Sequence, residues 1–112
     1  MKSQAIFDVM SDPTRRRILA LLVADGELCV CELTAALDDI QPKISRHLSV
    51  IRDSGLVDVR RRGTWVFYRI ADRLPRWQQA MFGALREGAE RELALDRSRL
   101  QRMSGRPARI AA

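Results

Sequence analysis

Apolar and polar residues alternate along the chain with two different periods. Apolar positions recur every three or four residues in five stretches, and this spacing predicts amphipathic helices. The stretches are residues 3–10, 13–25, 30–39, 42–53 and 74–100. Between residues 56 and 70 the period becomes two, with Val57 and Val59 on one side of Gly63 and Trp65 and Phe67 on the other. This pattern predicts a β-hairpin.

Helix boundaries are marked by local signals. Asp12 can cap the second helix, Pro13 suits its first position, and Gly26 follows its end. Pro42 opens the fourth stretch, and the Ser54-Gly55 pair closes it. We therefore expect the third and fourth helices to be short and joined by a tight turn.

Two such helices, the second with a basic outer face, form a helix-turn-helix pattern. The basic hairpin that follows gives the order of a winged helix. The expected fold is mostly α with one β-hairpin, a winged helix-turn-helix in a single domain over residues 1–104. Residues 105–112 are expected to form a flexible tail.

Charge and composition narrow the class of partner. The 112 residues include 20 Lys and Arg against 14 Asp and Glu, a net charge of +6 with a pI near 10.6. Such a surplus favours nucleic acid or an acidic membrane face. No apolar run approaches the roughly 18 residues that cross a bilayer, and the first residues do not form a signal peptide. We therefore expect a cytoplasmic protein with reduced thiols.

Both cysteines lie in the stretch "ELCVCEL", as Cys29 and Cys31. A disulfide here would close too small a loop to stabilise a fold, so a reactive or metal-binding pair is favoured. Successive helical residues turn by about 100°, so these two side chains would point apart in a regular helix. They could share a soft ion only if they precede the helix or if its first turn unwinds. The alternative is a pair of small buried apolar side chains.

Four segments together resemble the ArsR/SmtB family of metal-responsive repressors, and within it the arsenical-resistance repressors. They are "DPTRRRILALL", "ELCVCEL", "QPKISRHLSVIRDSGLV" and "RRRGTWVFYRI", and the resemblance spans roughly residues 5–77. It implies a homodimeric winged helix that binds an inverted repeat in operator DNA. It also implies release when Cys29 and Cys31 bind trivalent arsenic or antimony.

One position departs from this pattern. Many such repressors have a third cysteine three residues after the second, and this chain has Thr34 there. A threonine hydroxyl is a poor ligand for a soft ion. Two sulfurs per subunit suffice for a singly methylated trivalent arsenical, so we hypothesise that it binds at least as well as arsenite. No cofactor is expected to be bound permanently.

The expected DNA contacts lie on the fourth helix and the hairpin. Gln and Arg can bond to base edges, whereas Lys and Ser suit phosphates. The candidates are Gln41, Lys43, Ser45, Arg46 and Ser49, with Arg60, Arg61 and Arg62 at the hairpin tip. Arg15, Arg16 and Arg17 could add backbone contacts or form a solvated helix face. His47 is expected to pack, cap or contact a phosphate.

The last predicted helix supplies a reason to dimerise, because its apolar stripe exceeds what a small core can cover. The expected interface residues are Ile6, Trp77, Met81, Leu85 and Leu93. The sequence contains no constellation for catalysis, and an enzyme is the least favoured class. Two alternatives stay open: a repressor switched by oxidation of the same thiols, and a constitutive DNA-binding module with inert thiols.

Overall fold

The computed structural model describes residues 2–107, with side chains from residue 4 onward. This part of the chain forms six helices and three strands. In chain order they are α1 (Lys2–Met10), α2 (Pro13–Asp25), β1 (Glu27–Cys29), α3 (Val30–Leu37), α4 (Gln41–Asp53), β2 (Val57–Arg62), β3 (Trp65–Ile70), α5 (Arg76–Gly88) and α6 (Glu90–Gln101). The winged helix-turn-helix fold predicted from the sequence is confirmed. None of the helices over these residues is both long and apolar enough to span a bilayer.

Helix α2 is the centre of the core, and its ends follow the local signals. The side chain of Asp12 accepts a hydrogen bond from the backbone N–H of Arg15 at 3.1 Å, and Pro13 occupies the first turn. Gly26 ends the helix with a φ of 88°, a left-handed value that favours glycine. Ile18, Leu19, Leu21 and Leu22 are fully buried. The inward residues of α3 and α4 pack against them: Leu33, Leu37, Ile44, Leu48 and Ile51.

The hairpin belongs to a three-stranded antiparallel sheet. Strands β2 and β3 pair through a turn at Gly63-Thr64, as the period-two pattern predicts. A third strand, β1, pairs with the other edge of β3 and places Cys29 opposite Phe67. Three residues are too few to show an alternating pattern, so this strand was absent from the sequence prediction.

The prediction of a single long C-terminal helix over residues 74–100 is wrong, because two helices, α5 and α6, occupy this region. The helix stops at Gly88, a residue of low helical propensity, and Ala89 leaves the helical region with φ −101° and ψ 21°. Helix α6 then folds back against α3 and α2. The predicted stripe is therefore divided, and Leu93 is buried inside the subunit rather than on a shared face with Trp77.

The predicted interface needs a second correction at Ile6. Its side chain is 0% exposed in the single chain, packed in the core, so it has no surface left for a partner. The neighbouring Phe7 is 53% exposed and Trp77 is 43% exposed. Their rings stack with centroids 6.3 Å apart. Helices α1 and α5 thus share an aromatic surface that the fold leaves open.

The three consecutive arginines of α2 bond within the subunit. Arg15 donates to the carbonyl oxygens of Val9 at 2.9 Å and Asp8 at 3.0 Å, and Arg16 donates to that of Met10 at 2.6 Å. Because the last carbonyls of a helix have no partner inside it, these bonds cap α1. Arg17 turns the other way, toward α6. These guanidinium groups are therefore structural cross-links and not a freely solvated face.

Candidate metal centre and nucleic-acid interface

The two cysteines lie on either side of a strand-to-helix junction. Cys29 ends β1 and is the N-cap of α3, with extended backbone at φ −93° and ψ 169°. Cys31 is the second residue of the helix. Because Cys29 precedes the helix, the two side chains can point the same way, and their Sγ atoms are 2.9 Å apart. Of the two arrangements that the spacing allows, the fold adopts the one without an unwound turn.

Glu32 holds this junction in place. The Cys29 backbone N–H donates to Glu32 Oε1 at 2.9 Å, while the Glu32 backbone N–H faces the Cys29 sulfur, which makes a reciprocal capping box. The Glu32 side chain is 0% exposed. Its second oxygen, Oε2, accepts a hydrogen bond from Arg106 Nε at 2.7 Å. The position of the first thiol therefore depends on a buried carboxylate and on the C-terminal segment.

The surroundings of Cys29 disfavour its thiolate. Burial raises the pKa of Cys29 to about 12, helped by the hydrogen bond to Cys31 and the negative charge of Glu32, and opposed by the backbone bond from Glu32. At neutral pH this sulfur therefore carries its proton. Both cysteines are free thiols.

This raised pKa predicts an unusual pH profile for alkylation of Cys29. Only the thiolate reacts, so the rate with iodoacetamide should climb by about tenfold per pH unit from pH 8 to pH 11. Urea-unfolded protein is the control, since an unperturbed thiol with a pKa near 8.5 should level off above about pH 9.5. Peptide mass spectrometry resolves the two cysteines. A plateau near pH 9 in the folded protein would contradict the assignment.

Among the residues that the structure describes, two sulfurs and no third side-chain ligand form the site. The Thr34 hydroxyl donates to the carbonyl oxygen of Val30 at 2.8 Å, so its proton is engaged in the helix. Across residues 2–107, no group of three or more Cys, His, Asp or Glu side chains is arranged to hold a metal ion. The chemistry that this pair favours is thus a soft ion or a small trivalent species with two exchangeable positions.

Helix α4, the second helix of the helix-turn-helix, presents a polar outer face. Gln41, Arg46 and Ser49 are exposed, while Lys43 and Ser45 are half-buried. Lys43 Nζ pairs with Asp39 Oδ2 at 2.8 Å. Ser45, Arg46 and Ser49 lie within about 100° of one another on the side of α4 away from its buried residues, and Gln41 and Lys43 flank this face on opposite sides.

His47 faces α2 rather than that outer side. Its Nδ1 lies 3.4 Å from Arg15 Nη1, and its Nε2 lies 3.9 Å from Asp12 Oδ1. Burial lowers the pKa of His47, while the Asp12 carboxylate opposes that shift. The ring joins α4 to the start of α2, which agrees with the packing role among its predicted alternatives.

The hairpin arginines do not form one group. Arg61 is exposed and Arg62 is half-buried at the end of β2, next to the turn. Arg60 lies inside the strand opposite Phe67, and its Nη2 pairs with Glu27 Oε1 at 2.6 Å. The prediction that Arg60 lies at the tip is wrong, because two further paired residues, Arg61 and Arg62, separate it from the turn.

Sequence comparison identifies the family. Residues 12–59 match the family described as "bacterial regulatory protein, arsR family". The chain is 46% identical over 104 residues to the arsenic resistance transcriptional regulator ArsR2 of Pseudomonas putida, covering 93% of this chain and 90% of that protein. The chain belongs to the arsR family. It shares 51% identity over 72 residues with the arsenical resistance operon repressor of Escherichia coli, or 64% of this chain and 62% of that one.

Two solved structures have a similar fold. HlyU from Vibrio cholerae superimposes with a TM-score of 0.68 at 32% identity, over 77% of this chain and 89% of HlyU. The transcriptional repressor BigR from Xylella fastidiosa gives a TM-score of 0.63 at 29% identity, over 80% of this chain and 83% of BigR. As an arsR-family member, the protein is a DNA-binding transcriptional regulator and not an enzyme.

Sequence reasoning missed several polar residues that connect this arsR-family fold. The sequence patterns predict no role for Asp96 or Glu32, yet both are buried. Arg106 belongs to the segment expected to be flexible, but it bonds to Glu32. Residues 108–112 of that segment lie outside the described part of the chain. Each of these acidic residues occupies a helix position at which the pattern otherwise has apolar residues, and that exception could have predicted a buried carboxylate.

Proposed function

We propose that this protein is a repressor that responds to trivalent arsenic and antimony through Cys29 and Cys31. The observation that carries the proposal is the contact between the two thiols, 2.9 Å apart at the start of the helix-turn-helix. The arsenic resistance regulators that the chain resembles support the choice of effector. The proposed repressor binds DNA when no effector is bound to it.

The proposed operator contacts come from α4 and the end of the hairpin. Gln41 and Arg46 reach base edges in the major groove, while Ser45, Ser49 and Lys43 bind phosphates. Arg61 and Arg62 bind the DNA phosphate backbone beside the major groove. Arg60 is left out, because its guanidinium is held by Glu27. Its role is to fix the hairpin to β1, and therefore to the strand that ends in Cys29.

The operator is proposed to be an inverted repeat read by a homodimer. A twofold axis places one α4 in each of two successive major grooves. The surface available for pairing is the stacked pair Phe7 and Trp77, together with the half-buried Met81 and Leu85 of α5. Exposed aromatic residues of this kind are enriched at the centres of interfaces.

Effector binding exchanges bonds without a net change in protons. Each thiol proton leaves with one hydroxide of the neutral arsenical as water, and two As–S bonds replace two As–O bonds. The raised pKa of Cys29 is compatible with this exchange, because the thiol needs no prior net loss of a proton to solvent. A divalent cation offers no hydroxide to take those protons, so it must release them.

A methylated arsenical fits the two-sulfur site best. Methylarsenite has two exchangeable hydroxides, and both are replaced at Cys29 and Cys31. Arsenite keeps a third hydroxide, which would face Thr34, whose hydroxyl is already bonded to Val30. We therefore propose that methylarsenite binds at least as tightly as arsenite.

Release follows from the position of the site. The bonded pair lies where β1 meets α3, and α3 packs on α4. A displacement of α3 shifts each α4 relative to its symmetry mate, and half-site spacing is a strict geometric requirement. DNA and arsenical therefore favour different states of one equilibrium.

Fluorescence anisotropy on DNA from the protein's own upstream region tests the proposal. Arsenite, methylarsenite and peroxide are titrated into the complex, the arsenicals under reducing conditions, and native mass spectrometry counts chains per duplex. We expect two chains per duplex and release by both arsenicals, with methylarsenite acting at equal or lower concentration. Arg46→Ala is the control for the DNA contacts, and it should weaken binding by roughly tenfold without changing arsenical binding.

Other outcomes favour the alternatives. Release by peroxide alone would indicate oxidation of Cys29 and Cys31 as the signal. Binding that neither arsenicals nor peroxide disturbs would indicate a constitutive DNA-binding module. A strong preference for arsenite over methylarsenite would overturn the two-sulfur argument.

A further inference from the structure

Residues 96–106, which we call the C-terminal strap, run along α3 and bond to both of its ends. At the far end, Arg99 Nε donates to the carbonyl oxygen of Ala36 at 2.7 Å. At the near end, Arg106 Nε donates to Glu32 Oε2 at 2.7 Å. The first contact lies beside the turn of the helix-turn-helix, and the second lies beside the cysteine pair. The strap therefore connects these two functional regions through side chains 63 and 74 residues away in sequence.

The far end of the strap is firmly anchored. Asp96 is 1% exposed, and its oxygens accept from Arg17 at 2.7 and 3.0 Å and from Arg99 at 2.7 Å. Arg17 also donates to the carbonyl oxygen of Leu37 at 3.3 Å. Charge-assisted bonds with this geometry are among the stronger polar contacts in proteins. These bonds fix the first part of the strap to α2 and to the C-terminal end of α3. Arg106 follows this anchored part of the chain.

The near end of the strap bonds to Glu32, the residue that holds the Cys29 backbone in position. Both oxygens of Glu32 accept hydrogen bonds, Oε1 from the Cys29 backbone N–H and Oε2 from Arg106 Nε. This contact between Arg106 and Glu32 is an ion pair, and its carboxylate is fully buried. Removal of that cation leaves the buried carboxylate with an uncompensated charge, which rotation of the side chain toward water would relieve. That rotation would withdraw Oε1 from Cys29 and loosen the cap that holds Cys29 near Cys31.

We propose that Arg106 is a positioning residue for the effector thiols, acting through Glu32. This inference rests on the proposed function, since it assigns the thiols to effector binding. Arg106 does not touch the effector. It keeps the two sulfurs close enough together for one small trivalent centre, and such preorganisation contributes directly to affinity.

The test uses phenylarsine oxide as the probe and needs no DNA. The arsenic forms two As–S bonds, loses its oxygen, and releases one water that carries both thiol protons. Affinity is measured on the full-length protein by competition with a small dithiol. The variants are Arg106→Ala, Arg106→Lys and Glu32→Gln, with Arg106→Ala also made in the Glu32→Gln background. The matched control is Arg102→Ala, which removes an exposed arginine of the same strap whose Nη1 donates to the Ser98 hydroxyl.

We expect Arg106→Ala to lower probe affinity by about fivefold to tenfold, and Arg106→Lys to restore part of it. Arg102→Ala should stay within about twofold of wild type. In the Glu32→Gln background, Arg106→Ala should add little, because the two residues act as one unit. Hydrogen exchange at the Cys29 amide should accelerate in Arg106→Ala and not in Arg102→Ala, which separates a local role from a general loss of stability.

Two results would overturn the proposal. One is an Arg106→Ala protein that binds the probe like Arg102→Ala. The other is an effect of Arg106→Ala that is equally large with Glu32→Gln, which would show that Arg106 does not act through Glu32. The proposed function fails separately: a wild type that binds the probe but stays on DNA refutes arsenical release and leaves the role of Arg106 standing.

Discussion

Exchange of either Cys29 or Cys31 for serine should reduce affinity for methylarsenite by at least about 100-fold and leave operator affinity unchanged. With both thiols present, the second As–S bond forms at the high effective concentration set by a sulfur 2.9 Å away, and a single thiol loses that advantage. The loss should be similar for the two variants, because neither sulfur can chelate alone. Anisotropy on operator DNA gives the DNA affinity, and dithiol competition gives the arsenical affinity.

The control for the cysteine variants is Thr34→Ser, one turn further along α3. It keeps a hydroxyl that can still donate to the carbonyl oxygen of Val30, so both affinities should match wild type. If Cys31→Ser retained full affinity while Cys29→Ser lost it, the effector would be bound by one sulfur only. The two-sulfur site would then be wrong.

Asp96→Asn should lower the free energy of unfolding by about 2–3 kcal/mol, the largest stability effect that we expect from a polar substitution here. The amide cannot satisfy Arg17 and Arg99 as the buried carboxylate does. For a domain of this size, that change lowers Tm by roughly 10 °C. Urea unfolding followed by circular dichroism measures it.

Asp72→Asn is the matched comparison, since Asp72 also pairs with an arginine, Arg69, but on an exposed surface. Its substitution should change the free energy of unfolding by no more than about 0.5 kcal/mol. Equal effects of Asp72→Asn and Asp96→Asn would mean that burial of the Asp96 cluster contributes nothing. The anchoring of the C-terminal strap would then need another explanation.

The features predicted correctly from the sequence are those encoded locally. The Asp12, Pro13 and Gly26 signals lie within one turn of the helix ends that they mark. The buried residues of α4 repeat with the helical period, and the hairpin alternates with period two. Each of these patterns is complete within about a dozen residues, so tertiary contacts were not needed to recognise them.

The errors concern distant partners. Arg60 and Glu27 are 33 residues apart in sequence, and Arg17 and Asp96 are 79 apart. Such pairs produce no periodic pattern in the sequence. Arg60 was therefore predicted at the hairpin tip, and Arg17 was predicted either to contact the DNA backbone or to lie on a solvated face. The break at Gly88 was visible as a residue, but a lone glycine is tolerated in many helices. The helix must end near Gly88 because α6 folds back to pack on α3, and that packing is a tertiary contact.

Both sulfurs of the candidate metal centre come from one three-residue segment of a single subunit. In the proposed dimer, each subunit therefore captures its own arsenical, with no ligand borrowed across the twofold axis. One occupied subunit is enough to misplace one α4, and a repeat read by two copies loses much of its affinity when one copy no longer fits. Transcription should consequently begin at arsenical doses where many dimers hold a single effector, well before the sites saturate.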